Sequence, residues 1–185
     1  MFRYAEARGV ERDMAVYRAL IQTLQSAGRW SLELNALREN GDDKFIPEAE
    51  LLSAEEAFRI ARDIYAVGLE EGTLSSWCRD EEGHLVLDLH RLPVSVAVTA
   101  VSLAFERMAA RVIPVSSLRI ITGRGNHVNN SGTRGVLRSE VEAFITRGMS
   151  PLGILMTARV PGNEGCIDVP AAAIEQWISA RAHGT

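Results

Sequence analysis

The sequence predicts an α/β protein: a small two-layer βαβαββ domain with a mixed four-stranded sheet, preceded by α-helical hairpins. Three observations carry this. Up to about residue 70 the apolar residues recur only at helical spacing, whereas from Leu85 onward short strand-like runs alternate with helical ones. Near the end, the turn Pro161-Gly162-Asn163-Glu164 separates two strand-like runs and so predicts a β-hairpin. An antiparallel hairpin joined to βαβ crossovers makes the sheet mixed.

In order along the chain, Val16, Leu20, Ile21 and Leu24 lie at helical spacing, and Leu34 and Leu37 resume it beyond Ala27-Gly28. This predicts two short amphipathic helices with a break at that glycine, an αα-hairpin. After the polar stretch GDDKFIPEAE, Ser53 and Glu56 make a capping-box pattern, opening a helix with Ala57, Ile60, Ala61 and Ile64 on one face and Gly68 near its end. Residues 1–78 are therefore expected to be helical, 79–84 a connector, 85–170 the sheet domain and 171–185 a C-terminal helix. The acidic run Asp80, Glu81, Glu82 reads as a solvated turn. Leu85–His90 is the first strand, and Pro93 suits the first turn of the helix that follows, with Ala97, Val101, Ala104, Phe105 and Met108 on one face. Leu118–Thr122 is the second strand; Leu137, Val141, Phe144 and Ile145 mark a helix ending near Gly148. Gly153–Val160 and Gly165–Val169 are the hairpin strands, and Ala171–Ala182 the final helix. Trp30, Trp77 and Trp177 are expected to be packing anchors, and His84 and His183 ordinary exposed histidines.

The composition, 46% hydrophobic and 24% charged, is that of a globular chain with a core. No apolar run reaches the roughly 18 to 20 residues of a membrane span. The first twelve residues carry two glutamates and no apolar run, against both a secretory signal and a transit peptide. Cys78 and Cys166 lack metal-ligand spacing, which excludes a structural zinc motif and favours reduced, intracellular thiols. The net charge of -4 hides a division: residues 1–84 hold ten Lys/Arg against seventeen Asp/Glu, residues 85–185 ten Arg against seven acids. The carboxy-terminal half is thus locally basic, and its cations are all arginine, the side chain best shaped for bidentate phosphate contact.

Chemistry concentrates in two places. In Leu85-Val86-Leu87-Asp88-Leu89-His90, period-two alternation puts Asp88 and His90 on the same side of a strand. A carboxylate then neighbours an imidazole, the side chain that exchanges protons near neutrality. In Thr122-Gly123-Arg124-Gly125-Asn126-His127, two glycines let the backbone turn sharply around an arginine fit for phosphate. Both motifs fall at the carboxyl ends of strands, where α/β sheets bind ligands; if those strands are parallel neighbours, the motifs meet. His90 would then move a proton at a phosphodiester, Asp88 would orient it or hold a hydrated cation, and Arg124 with the loop amides would stabilise phosphate charge.

Two resemblances follow from these residues. The stretch DMAVYRALIQTLQSAGRWSLELNALREN resembles a pentatricopeptide repeat, with Tyr17, the Leu20-Ile21 pair and the Ala27-Gly28 turn, and MFRYAEARGVERD looks like the tail of an earlier repeat. About one and a half repeats are covered, which hints at a fragment of a longer array. In that family the residue after the tyrosine helps to choose an RNA base and is usually Asn, Ser or Thr; here it is Arg18. The second resemblance spans Leu85 to about Val169. Leu87-Asp88-Leu89-His90, Thr122-Gly123-Arg124-Gly125, His127, the helix GVLRSEVEAFI and the strand GNEGCIDV resemble the Smr (small MutS-related) domain. The departure is Arg91, where the family usually has glycine; a side chain there would narrow the site or add a phosphate contact.

What the resemblance implies is a fold like the carboxy-terminal domain of bacterial translation initiation factor three, nucleic-acid binding and, in several branches, endonuclease activity. Asp88 and His90 would be catalytic, and Arg91, Thr122, Gly123, Arg124, Gly125 and His127 would bind nucleic acid. A divalent cation such as magnesium is an open cofactor. The two parts together look like the carboxy-terminal part of organellar RNA-processing proteins, implying RNA as the partner and a plastid or mitochondrion as the location. The alternatives are a non-catalytic subunit of a larger organellar gene-expression complex, or a nuclease that nicks DNA.

Overall fold

The computed structural model describes residues 13–39, 52–74, 77–123, 136–149, 157–160 and 162–183. The chain divides into two compact units, Met1–Leu74 and Ser75–Thr185.

Among the described residues, the first unit holds a pair of helices, α1 (Met14–Glu39) and α2 (Ala54–Glu70). The break expected at Ala27-Gly28 does not occur: α1 runs through the glycine for 26 residues. A helical glycine costs about 1 kcal/mol relative to alanine, but here it admits a neighbour. A Cβ on Gly28 would stand 2.4 Å from Cε1 of Phe58 on α2, so the missing side chain is the space into which α2 packs. The αα-hairpin therefore forms between α1 and α2 and not within α1. Tyr17, Ile21, Leu24 and Leu34 of α1 and Ala57, Ala61, Ile64 and Tyr65 of α2 are its buried seam. Ser53 caps α2, its Oγ accepting the Glu56 amide at 3.2 Å. Trp30, expected as a packing anchor, is 56% exposed, because it falls off the seam.

The second unit is a sheet with helices. Its strands are β1 (Cys78–Arg79), β2 (Leu85–Asp88), β3 (Leu118–Ile121), β4 (Ala158–Val160) and β5 (Asn163–Val169), in the order β1-β2-β3-β5-β4. β2 and β3 are parallel, joined by α3 (Val94–Ala109), and the other pairings are antiparallel. The four expected strands thus make the mixed sheet. The segment expected as a connector adds a fifth: Cys78 and Arg79 pair with Val86 and Leu85, and the acidic run closes the turn between them. Asp80 Oδ1 accepts the amides of Glu82 and His84, which is how an aspartate builds a turn that a run of like charges would not suggest. β3 leads to α4 (Val136–Ala143), which widens into a π-helical turn over Phe144–Gly148. After β5 comes α5 (Ala171–His183), part of this unit's core.

Register explains the two layers. Leu85, Leu87, Leu118, Ile120, Ile167 and Val169 share one face, and each is almost wholly buried. Phe105 of α3 and Trp177 of α5 are buried too, their rings meeting edge to face at 5.5 Å. The opposite face carries Asp88, Arg119 and Asp168 beside Val86, Ile121 and Cys166. Among the described residues no helix is long and apolar enough to cross a membrane.

Candidate nucleic-acid site at the sheet rim

The parallel pairing of β2 with β3 aligns Asp88 with Ile121, so both candidate motifs leave the sheet at one edge. The ladder continues one step further, the Leu89 amide donating to the Ile121 carbonyl at 2.8 Å. Leu89 is buried and anchors the two polar residues that flank it.

Asp88 Oδ1 accepts twice from His90, from the backbone N–H at 3.1 Å and from Nδ1 at 2.5 Å. A carboxylate accepts only, so Nδ1 carries the proton and Nε2 is left as the atom that can take or give one. Both side chains are about half exposed, 49% for His90 and 46% for Asp88. At that exposure the pair adds little to stability, and its consequence is the orientation of the ring.

Beyond His90 the Leu92 amide returns to the Leu89 carbonyl at 3.0 Å, closing a turn that places Arg91 at φ 67°. That is the left-handed region, where a Cβ costs about 1 kcal/mol and glycine fits without strain. Arg91 is exposed, and no described residue pairs with its guanidinium.

From the β3 side, Thr122 is buried. Its amide and hydroxyl both donate to the Gly165 carbonyl, at 2.7 and 3.1 Å. Thr122, expected as a nucleic-acid contact, spends its polar atoms on β5. Gly123 follows at φ 79°, and a Cβ on it would sit 3.6 Å from Cβ of His90. Asp88, His90, Thr122 and Gly123 are thus brought together, with Arg91 in the adjoining turn. Arg124, Gly125 and His127 lie outside the described residues.

Sequence reasoning passed over a polar network on the same sheet face. Arg119 of β3 holds Asp168 of β5 with two bonds, 3.0 and 3.2 Å, and reaches Asp80 at 3.0 Å and Glu82 at 3.4 Å. The bonds to Asp168 push the Arg119 pKa upward. His84, expected as an ordinary exposed histidine, is half-buried, with Nδ1 on the Ser117 hydroxyl and Nε2 3.0 Å from Glu82. The acidic turn is therefore a partner of Arg119 and His84. Its signal was an arginine in LRII and an aspartate in CIDV, the same interruption of an apolar strand that drew attention to Asp88.

Asp80, Glu82 and His84 are the described cluster whose ligand atoms lie close enough, within 4.8 Å, to hold a metal ion. Arg119 already supplies the positive charge there. At the rim, half of the Asp88 carboxylate is engaged by His90. The other carboxylate oxygen is free of that bond, and because magnesium is held by one or two carboxylates together with waters and substrate phosphates, Asp88 is the rim residue that would hold a hydrated cation.

The described residues thus form an α/β domain with a polar network on one sheet face and an acid–imidazole pair beside a glycine turn at one rim. Residues 87–169 match the model of the Smr domain family, and this part of the chain is an Smr domain. Smr domains bind nucleic acids. The match runs from Leu87 of β2 to Val169 at the end of β5, and so contains the whole rim. No curated protein and no solved structure matches the chain significantly.

Proposed function

We propose that the chain is an RNA-binding endonuclease module of the pentatricopeptide–Smr type, breaking phosphodiester bonds at the Asp88–His90 rim. The observation that carries this reading is the double bond set from His90 to Asp88 Oδ1, which fixes a half-exposed ring and leaves Nε2 for proton transfer, with Gly123 close to the His90 Cβ. In the reaction, Nε2 takes the proton of the attacking oxygen, either the ribose 2′-hydroxyl or water, as the new P–O bond forms. The bond to the leaving oxygen breaks, and the imidazolium returns a proton to that oxygen. Asp88 holds the ring and stabilises its charged form, while the positive φ of Gly123 lets the phosphate approach the backbone. RNA is preferred over DNA because the stretch from Asp13 to Asn40 resembles a pentatricopeptide repeat in sequence, although Met14–Glu39 forms one helix where a repeat has two.

A second reading is favoured by one observation. The repeat-type tyrosine, Tyr17, is fully buried with its hydroxyl on Glu71 at 2.5 Å, and the residue after it is Arg18. That hairpin is then a scaffold without base choice, and the Smr domain a grip within a larger organellar assembly. Cleavage assays on single-stranded RNA, duplex DNA and branched DNA, with and without EDTA, separate the readings. Product from RNA alone that vanishes in His90→Ala supports the nuclease, and the EDTA arm reads whether a divalent cation takes part. Salt-sensitive binding without product supports the grip.

A further inference from the structure

The stretch Asn163-Glu164-Gly165 at the start of β5 is held from three directions, and none of the chemistry above uses it. Arg138, in the first turn of α4, donates from Nη1 to the Glu164 carbonyl. The Gly165 amide donates to Asn163 Oδ1 at 3.2 Å. The peptide unit joining Glu164 to Gly165 is therefore gripped at both polar atoms by side chains, its C=O by a guanidinium and its N–H by a carboxamide. The next carbonyl, that of Gly165, then has a fixed direction and receives both donors of Thr122. Gly123, one residue on, lies against His90.

We infer that Arg138 is a positioning residue for the rim, acting through the Glu164–Gly165 peptide and Thr122 to hold Gly123 against His90. Only its catalytic consequence rests on the nuclease reading above; the clasp itself is a property of the free protein. Arg138 suits the role because a guanidinium holds a carbonyl in a fixed plane, which the flexible ammonium of lysine does less well. A bond to a charged group of this kind shifts the population of the loosened state about tenfold, or about 1.4 kcal/mol.

The test is amide hydrogen exchange, followed by NMR on the full chain, in wild type, Arg138→Ala, Arg138→Lys and Asn163→Ala. Exchange at Thr122 and Gly165 is expected to quicken about tenfold in Arg138→Ala and Asn163→Ala, while Leu118 and Ile120 in β3 stay unchanged. Arg138→Lys should recover part of the protection. Unchanged Thr122 exchange in Arg138→Ala overturns the inference, as does faster exchange throughout β3, which would make Arg138 a general stabiliser. Single-turnover RNA cleavage supplies the second readout: the saturating cleavage rate should fall in the same order as protection is lost, with the half-saturating enzyme concentration within about threefold. A wild type that cleaves nothing but shows the expected exchange pattern sinks the nuclease reading and leaves the clasp standing.

Discussion

Arg91 and Arg111 are the two described residues other than glycine with positive φ, at 67° and 56°. Arg111 has an evident compensation, a bidentate ion pair with Glu175 at 3.2 Å on both arms. Arg91 has none among the described residues and stands next to His90, so its strain is retained where a phosphate would arrive. Arg91→Gly should raise stability by about 1 kcal/mol in urea unfolding while weakening RNA binding and flattening its salt dependence by about one counterion. Lower stability, or an unaltered salt slope, would show that the side chain packs and does not bind. The sequence singled out this position as a departure from glycine; the backbone angle that makes glycine natural there is set by the Leu92–Leu89 turn, which no spacing rule displays.

At the scale of elements, the hairpin was legible in its apolar stripe and illegible in its connectivity. Ala27-Gly28 has the composition of a turn, but the glycine's small volume serves helix contact, a tertiary fact that overrides local preference. Burial of Tyr65 in that contact has a measurable consequence, since it pushes the hydroxyl pKa from 10.0 up to about 12 against the opposing charge of Arg18. The neutral phenol is the form that packs. Stability from this group is complete below pH 10 and is lost as pH rises through 12, a difference of about 2 to 3 kcal/mol. Denaturant unfolding of wild type and Tyr65→Phe between pH 9 and 12 should show a steeper loss in wild type; parallel slopes would contradict it. The strands were legible for a different reason, because Leu118–Ile121 alternates with period two and Leu85–Asp88 is a short apolar run ended by a carboxylate. β1 was not, since two residues carry no periodicity.

For the molecule as a whole, the sheet is stitched across its polar face by Arg119, which joins the β1–β2 turn, β3 and β5. Removing it leaves Asp80 and Asp168, each only about a quarter exposed, without their cation. Arg119→Ala should cost about 2 kcal/mol in urea unfolding, between the values of surface and buried pairs. A loss under about 0.5 kcal/mol would reduce the network to surface decoration. The same face buries Cys166, and that burial, helped by Asp168, raises its thiol pKa. Exposed Cys78 should therefore be alkylated in the native protein while Cys166 reacts only on unfolding, as mass spectrometry after timed iodoacetamide would show. Native labelling of Cys166 would mean that this face opens.

Everything in the functional account passes through one imidazole and the carboxylate that turns it. The most direct measurement is single-turnover cleavage of a single-stranded RNA by wild type, His90→Ala and Asp88→Asn, with binding measured alongside. The account predicts at least about a hundredfold slower cleavage for His90→Ala at nearly unchanged affinity, and an intermediate loss for Asp88→Asn, in which the ring keeps a partner but loses its counter-charge. Cleavage by His90→Ala at the wild-type rate would contradict it.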